Sequence, residues 1–155
     1  MIVVSDTSPV TALLQIGQGS LLPALFDEVL IPPAVQVELL RFHQHLPDYL
    51  QLCSIQDEGK TTELCQELDR GEAEAIVLAE ECRAEQLLMD EKRGRATAEA
   101  RGLSVIGLLG VLLLAKKAGH ISLLKPLIAE LESTAGFFVS DAVQQIVLKA
   151  AGETT

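Results

Sequence analysis

The amino-acid sequence predicts an α/β fold: a three-layer α/β/α sandwich around a central, mostly parallel sheet of four to five strands. Three observations predict it. Short β-branched or leucine-rich runs alternate with longer segments of helical period. Of the 155 residues 48% are hydrophobic but only 3% aromatic, so the core must be built from Leu, Val, Ile and Ala, which suit a sheet buried on both faces. Glycines and prolines punctuate the boundaries between the runs.

Ile2-Val3-Val4 is a buried-strand pattern that runs into Ser5-Asp6-Thr7-Ser8-Pro9, where Ser8 can cap a helix with Pro9 at its first position. That helix passes through Leu13, Leu14 and Ile16 and stops near Gly17 and Gly19. Leu21 to Phe26 reads as a short helix and Glu28 to Ile31 as a second strand, closed by Pro32-Pro33. The second proline suits the first turn of a helix striped by Val35, Leu39 and Phe42. Leu50 to Ile55 is a short edge strand, and Thr61 to Leu68 is helical. Asp69-Arg70-Gly71 introduces a helix from Glu72 to about Ala84. Gln86 to Met89 is a third strong strand, Ala96 to Arg101 a helix, and Leu103 to Ile106 a further strand. Three helices complete the pattern: Gly107 to Ala118, one capped by Ser122 and reaching Leu131, and one opened by Ser140 and Asp141 that ends near Ala150. The expectation is one domain over residues 1–150 with a frayed end over 151–155.

The net charge is −10, from 22 acidic and 12 basic residues. A broad basic surface for nucleic acid is thereby excluded. Phosphate can still be bound where divalent cations or a basic partner offset a local acidic cluster. Cys53, Cys65 and Cys82 have no CxxC spacing and fit reduced thiols in a cytoplasmic protein. Met1 leads into a strand without a basic leader. The most apolar stretch, Leu103 to Ala115, falls short of the ~20 residues a membrane span requires. His43, His45 and His120 lack the spacing of a histidine metal site.

In open α/β sheets, ligands bind beyond the carboxyl ends of the strands. Asp6 and Asp90 end apolar strands there, and a carboxylate in that position needs a helix N-terminus, a basic group or a metal. Glu38, on the helix after Pro33, and Glu72, on the helix after Gly71, can reach the same edge. Each acid also has a plainer reading. Asp6 and Asp90 can cap helices, Glu38 can be solvated, and Glu72 can complement a helix dipole.

Taken together, four segments resemble the PIN-domain family, in particular its compact prokaryotic branch with VapC-like toxins and a largely uncharacterised subgroup. They are Ile2-Val3-Val4-Ser5-Asp6-Thr7-Ser8; Ile31 to Leu39, which holds Glu38; Leu68-Asp69-Arg70-Gly71-Glu72-Ala73-Glu74-Ala75-Ile76; and Leu87-Leu88-Met89-Asp90-Glu91-Lys92-Arg93-Gly94-Arg95 with Val105-Ile106-Gly107. The third acidic position departs from the family's usual Asp. Glu72 and Glu74 are both available there, ~200° apart around a helix at 100° per residue. Spacing to Asp90 favours Glu72, with Glu74 in reserve.

The resemblance implies a metal-dependent endoribonuclease acting on single-stranded RNA. Asp6 and Asp90 would be the central ligands of one or two Mg²⁺ or Mn²⁺ ions, and Glu38 and Glu72 would complete the catalytic set. Ser8 would orient a ligand water, and Lys92, Arg93 and Arg95 would contact RNA phosphates. It further implies a homodimer, with Leu109, Leu112, Leu113, Leu124, Leu127, Ile128 and Leu131 as candidate surface, and a cognate antitoxin as partner. The alternative is a catalytically degenerate PIN-like module that binds RNA or a protein. Phosphoryl-transfer folds fit less well. Position 8 is Ser where a haloacid-dehalogenase-like phosphatase needs a second Asp, and no acidic pair accompanies the first strand as in a response-regulator receiver.

Overall fold

The alternation of Val3 and Val4 decides the layering. In the computed structural model, which describes residues 1–153, both side chains are fully buried but in different cores on opposite faces of the sheet. The elements run β1 (Ile2–Ser5), α1 (Thr7–Gln15), α2 (Leu21–Leu25), β2 (Glu28–Ile31), α3 (Pro33–Phe42), β3 (Leu50–Leu52), α4 (Glu58–Leu64) and α5 (Arg70–Glu81). They continue with β4 (Gln86–Leu88), α6 (Lys92–Ala100), β5 (Val105–Ile106), α7 (Leu108–Lys117), α8 (Lys125–Ser133) and α9 (Asp141–Ala150). The five strands lie in the order β3-β2-β1-β4-β5, and every pairing is parallel. The expected three-layer α/β/α sandwich is therefore present.

One core joins Val3, Val29, Ile31 and Leu88 to α1, α2, α3 and the C-terminal helices; the other joins Val4, Leu87 and Met89 to α5 and α6. Helix α5 is unusual in being buried from Gly71 to Ala79, on every side. Its small residues make this possible, since Gly71, Ala73, Ala75 and Ala79 let β1, α3 and α4 approach closely.

Several helix starts differ from the sequence reading, each for a capping reason. Helix α1 begins at Thr7 behind Asp6, not behind Ser8, because Asp6 already holds the extended N-cap backbone. Helix α4 begins at Glu58, where the Asp57 side chain accepts from Lys60 N. Helix α6 begins at Lys92, where the Glu91 side chain accepts from Gly94 N. Ser122 caps nothing; α8 starts at Lys125 with Pro126 in its first turn.

The end expected to fray, residues 151–155, is held as far as Glu153. Its carboxylate accepts from Lys116 Nζ at 2.8 Å, Leu124 N at 2.6 Å and Lys125 N at 3.2 Å. Residues 154–155 lie outside the described residues. The leucines nominated for a dimer surface are largely used within the chain. Leu112, Leu124, Ile128 and Leu131 are core, and Leu109, Leu113 and Leu127 pack against it half-buried. No described helix is long and apolar enough to cross a membrane. Replacing fully buried Ile76 by Ala should cost ~2–5 kcal/mol in denaturant unfolding, whereas Ile146→Ala, on an exposed face of α9, should change stability by less than ~0.5 kcal/mol.

Candidate active site

After β1 the chain steps outward to β2 and β3, then returns to the opposite side of β1 to form β4. This reversal opens a crevice beyond the carboxyl ends of β1 and β4. Asp6 follows β1 there, and its backbone N–H donates to Leu88 O of β4 at 2.9 Å. A cavity of about 320 Å³ opens at this edge, with Asp6, Ser8, Glu38, Asp69, Glu72 and Glu91 in its wall.

Three further acids reach the crevice by different routes. Glu38 comes from α3, and its Oε2 accepts from Thr7 Oγ1 at 2.8 Å. Gly71 leaves it room: a Cβ there would lie 2.5 Å from Glu38 Oε1. Glu72 is fixed by a capping box at the start of α5. Its N–H donates to Asp69 Oδ1 at 2.8 Å, while its Oε1 accepts from Asp69 N at 3.2 Å. The other oxygen, Oε2, is buried where no N–H reaches it, and the Glu91 carboxyl stands beside it. Oε2 faces Gly94 of α6, where a Cβ would come within 2.8 Å. Asp90 accepts from Leu108 N at 2.9 Å through Oδ1, and its buried Oδ2 also lacks a partner.

The sequence-predicted residues therefore share one sheet edge but not one cavity. Asp6, Ser8, Glu38 and Glu72 line the cavity just described, whereas Asp90 opens on two neighbouring grooves with Lys92 and Arg95. Arg93 turns away, donating to Glu67 O at 3.3 Å. Glu74 is buried elsewhere: it accepts from Ala34 N at 2.9 Å and from Arg70 Nε at 2.6 Å, tying α3 to α5. Sequence reasoning missed Asp69, Thr7 and Glu91 as members of the site. Asp69 and Glu91 are helix caps, and their place at the cavity follows from the convergence of their helices. His43 is half-buried with its Nε2 3.2 Å from Thr11 Oγ1.

Electrostatics mark this edge. Burial pushes the Asp6 carboxyl up to about 7, against a backbone bond from Thr7 that lowers it; Asp69, Glu38 and Asp90 raise it further. Burial likewise raises Glu72, assisted by Asp69 and Asp6. It raises Asp90 too, opposed by Leu108 N–H and the Arg95 charge. Buried carboxylates driven toward the neutral form are characteristic of functional sites. Among the described residues no three Asp, Glu, His or Cys stand close enough to form a ready-made metal cage.

A PIN-domain family profile matches residues 2–153. The chain belongs to the PIN-domain family. PIN domains are generally nucleases, and they typically use divalent metals. The fold is also that of a PilT N-terminus domain protein from the hyperthermophilic archaeon Sulfolobus solfataricus P2, at 17% identity and a TM-score of 0.55. That similarity covers 79% of this chain and 95% of the other. No curated protein matches this PIN domain at a significant level.

The raised acids fix the sign of a pH effect. A carboxyl with a native value above its unfolded value of ~3.9 stabilises the fold fully below that value and loses the contribution as pH rises to the native one. For Asp6 the window is pH 4 to 7. Thermal unfolding without metal should therefore show stability falling across it, by up to ~1.4 kcal/mol per pH unit from this group. Asp6→Asn should flatten the decline and leave the metal-free protein more stable than wild type at pH 8.

Proposed function

We propose that this PIN domain is a metal-dependent endoribonuclease that hydrolyses phosphodiester bonds of single-stranded RNA. The observation that carries the reading is the pair of buried, unpartnered carboxylate oxygens, Glu72 Oε2 and Asp90 Oδ2, at the edge where Asp6 is held near neutrality. An orphaned buried oxygen is costly unless something supplies positive charge. The donors are all hard oxygens, which suits Mg²⁺ or Mn²⁺, one or two ions, rather than a thiol- or imidazole-loving metal.

Asp6 and Asp90 would be the central ligands of such an ion or ions, with Glu38 and Glu72 completing the site directly or through water. The spread of the acids is compatible with Mg²⁺, which keeps several of its waters. When bound, the ion supplies a polarised phosphate, an activated water and a stabilised leaving oxygen. The chain's own groups do the rest. Lys92 and Arg95 hold the phosphodiester beside Asp90. Thr7 orients Glu38, and Ser8, exposed at the cavity, positions a solvent molecule. Asp6, whose carboxyl burial pushes up to about 7 without an ion, would give up its proton when the ion binds.

A second reading keeps the fold and drops the chemistry: a degenerate module that binds RNA or a protein partner. One observation favours it. Glu72 stands where PIN domains usually carry Asp, and one of its oxygens is already engaged in the capping box. The endoribonuclease reading also implies two partners, a second copy of the chain and an antitoxin with a basic segment that could enter the acidic cavity.

Titration calorimetry with Mn²⁺ and cleavage of unstructured RNA separate the readings. The active site should bind Mn²⁺ in the wild type, and Asp6→Asn should lower the cleavage rate at least ~100-fold. Glu74→Gln should weaken stability yet leave Mn²⁺ binding within about twofold. Cleavage undiminished in Asp6→Asn would overturn the assignment, and absence of Mn²⁺ binding would select the degenerate module.

A further inference from the structure

Aromatic side chains are scarce here, with four Phe, one Tyr and no Trp. Phe26 is buried and Phe137 half-buried. The other two, Phe42 and Phe138, are 66% and 82% exposed. Both lie beside the carboxylates. Phe42 stands at the acidic cavity with Asp6 and Glu72. Phe138 lines a groove of about 720 Å³ that shares Asp90 and continues over Lys92, Arg95, Gly107 and Phe137.

The groove is built for an anion beside a flat apolar group. A Cβ at Gly107 would lie 2.7 Å from both Asp90 Oδ1 and Arg95 Nη1, so glycine there lets the two side chains meet over the backbone. Among the described residues neither Lys92 nor Arg95 forms an ion pair, and both line this groove. In a chain of net charge −10, two cations gathered beside an exposed phenylalanine, with Arg95 near Asp90 and Lys92 in no ion pair, complement a phosphate with an attached base rather than a second acidic surface.

We propose that Phe138, with Lys92 and Arg95, forms a nucleotide subsite flanking the scissile phosphate, and that Phe42 stacks a base on the other side of the carboxylates. The proposal rests on the endoribonuclease reading and adds to it how the strand is gripped. Stacking needs bases that are not paired, so the subsites explain a requirement for single strands through two named side chains. Purines should be held better than pyrimidines, since their stacking area is larger.

Fluorescence anisotropy tests this with labelled oligo(A), oligo(U) and duplex RNA of ~12 nucleotides, in EDTA so that nothing is hydrolysed. Both phenylalanines are exposed, so their replacement should leave the melting temperature unchanged. Phe138→Ala and Phe42→Ala should each weaken oligo(A) binding ~5- to 10-fold, with less effect on oligo(U) and none on duplex. Phe138→Trp should restore binding, and Phe138→Leu, apolar but not aromatic, should not. Lys92→Ala with Arg95→Ala should weaken all three RNAs and flatten the salt dependence. Unchanged oligo(A) binding in Phe138→Ala, or full rescue by Leu, would overturn the subsite. So would a change in oligomeric state on Phe138→Ala with RNA binding intact, which would make the groove a protein interface. Phe138-dependent binding by a wild type that cleaves no RNA with Mn²⁺ would uphold the subsite while removing the nuclease reading.

Discussion

Repulsion among carboxylates gathered at the β1–β4 crevice is the constraint to which the rest of the structure answers. Asp6, Glu38, Asp69 and Glu72 meet in one cavity and Asp90 stands next to it. Left alone, such a group would push its members apart or hold protons. Helix geometry tempers it. The N-termini of α1, α5, α6 and α7 all open toward this edge, at Asp6, Asp69, Glu91 and Gly107. Each brings the positive end of a helix dipole and unpaired N–H groups. Leu108 N–H on Asp90 and Glu72 N–H on Asp69 are two that are used directly. A parallel sheet with short crossings to helices is the architecture that supplies several such termini on one side at once.

Two glutamates two residues apart in α5 show how narrowly this balance is drawn. Glu74 has both oxygens satisfied, by Ala34 N–H and the Arg70 guanidinium, and serves as a brace between helices. Arg70 in turn is gripped by Glu58 of α4. Glu72 has one oxygen satisfied and one left over, facing the small face of α6 at Gly94. Chemistry that needs an open coordination position finds it in the second arrangement and not in the first.

Much of the fold is legible in the sequence because the strands are short, apolar and bounded by Pro, Gly or acid. Ile2-Val3-Val4 and Gln86-Leu87-Leu88 admit few other readings. Helix starts are less legible, since Asp57 and Glu91 each resemble loop residues until their side chains are seen to accept from the third N–H beyond. The strand-end position of Asp6 and Asp90 is visible in the sequence, and so is the choice of Glu72 over Glu74 by spacing. That Asp90 opens on a different groove from the others is not visible, because it depends on how α6 and α7 pack across Gly94 and Gly107. The role of Glu153 is hidden for a similar reason: its partners Lys116, Leu124 and Lys125 are brought to it by tertiary packing alone.

The all-round burial of α5 has a consequence for motion. A helix enclosed from Gly71 to Ala79 by the sheet and its neighbours can open only when the domain does, so its amides belong with the slowest-exchanging in the molecule. Glu72 is anchored to that slow frame. Phe138 and Lys92 sit at its edge, on exposed positions that can rearrange without disturbing the core. The sheet edge thus pairs one stationary acid with exposed groups in the neighbouring groove that can adapt around it.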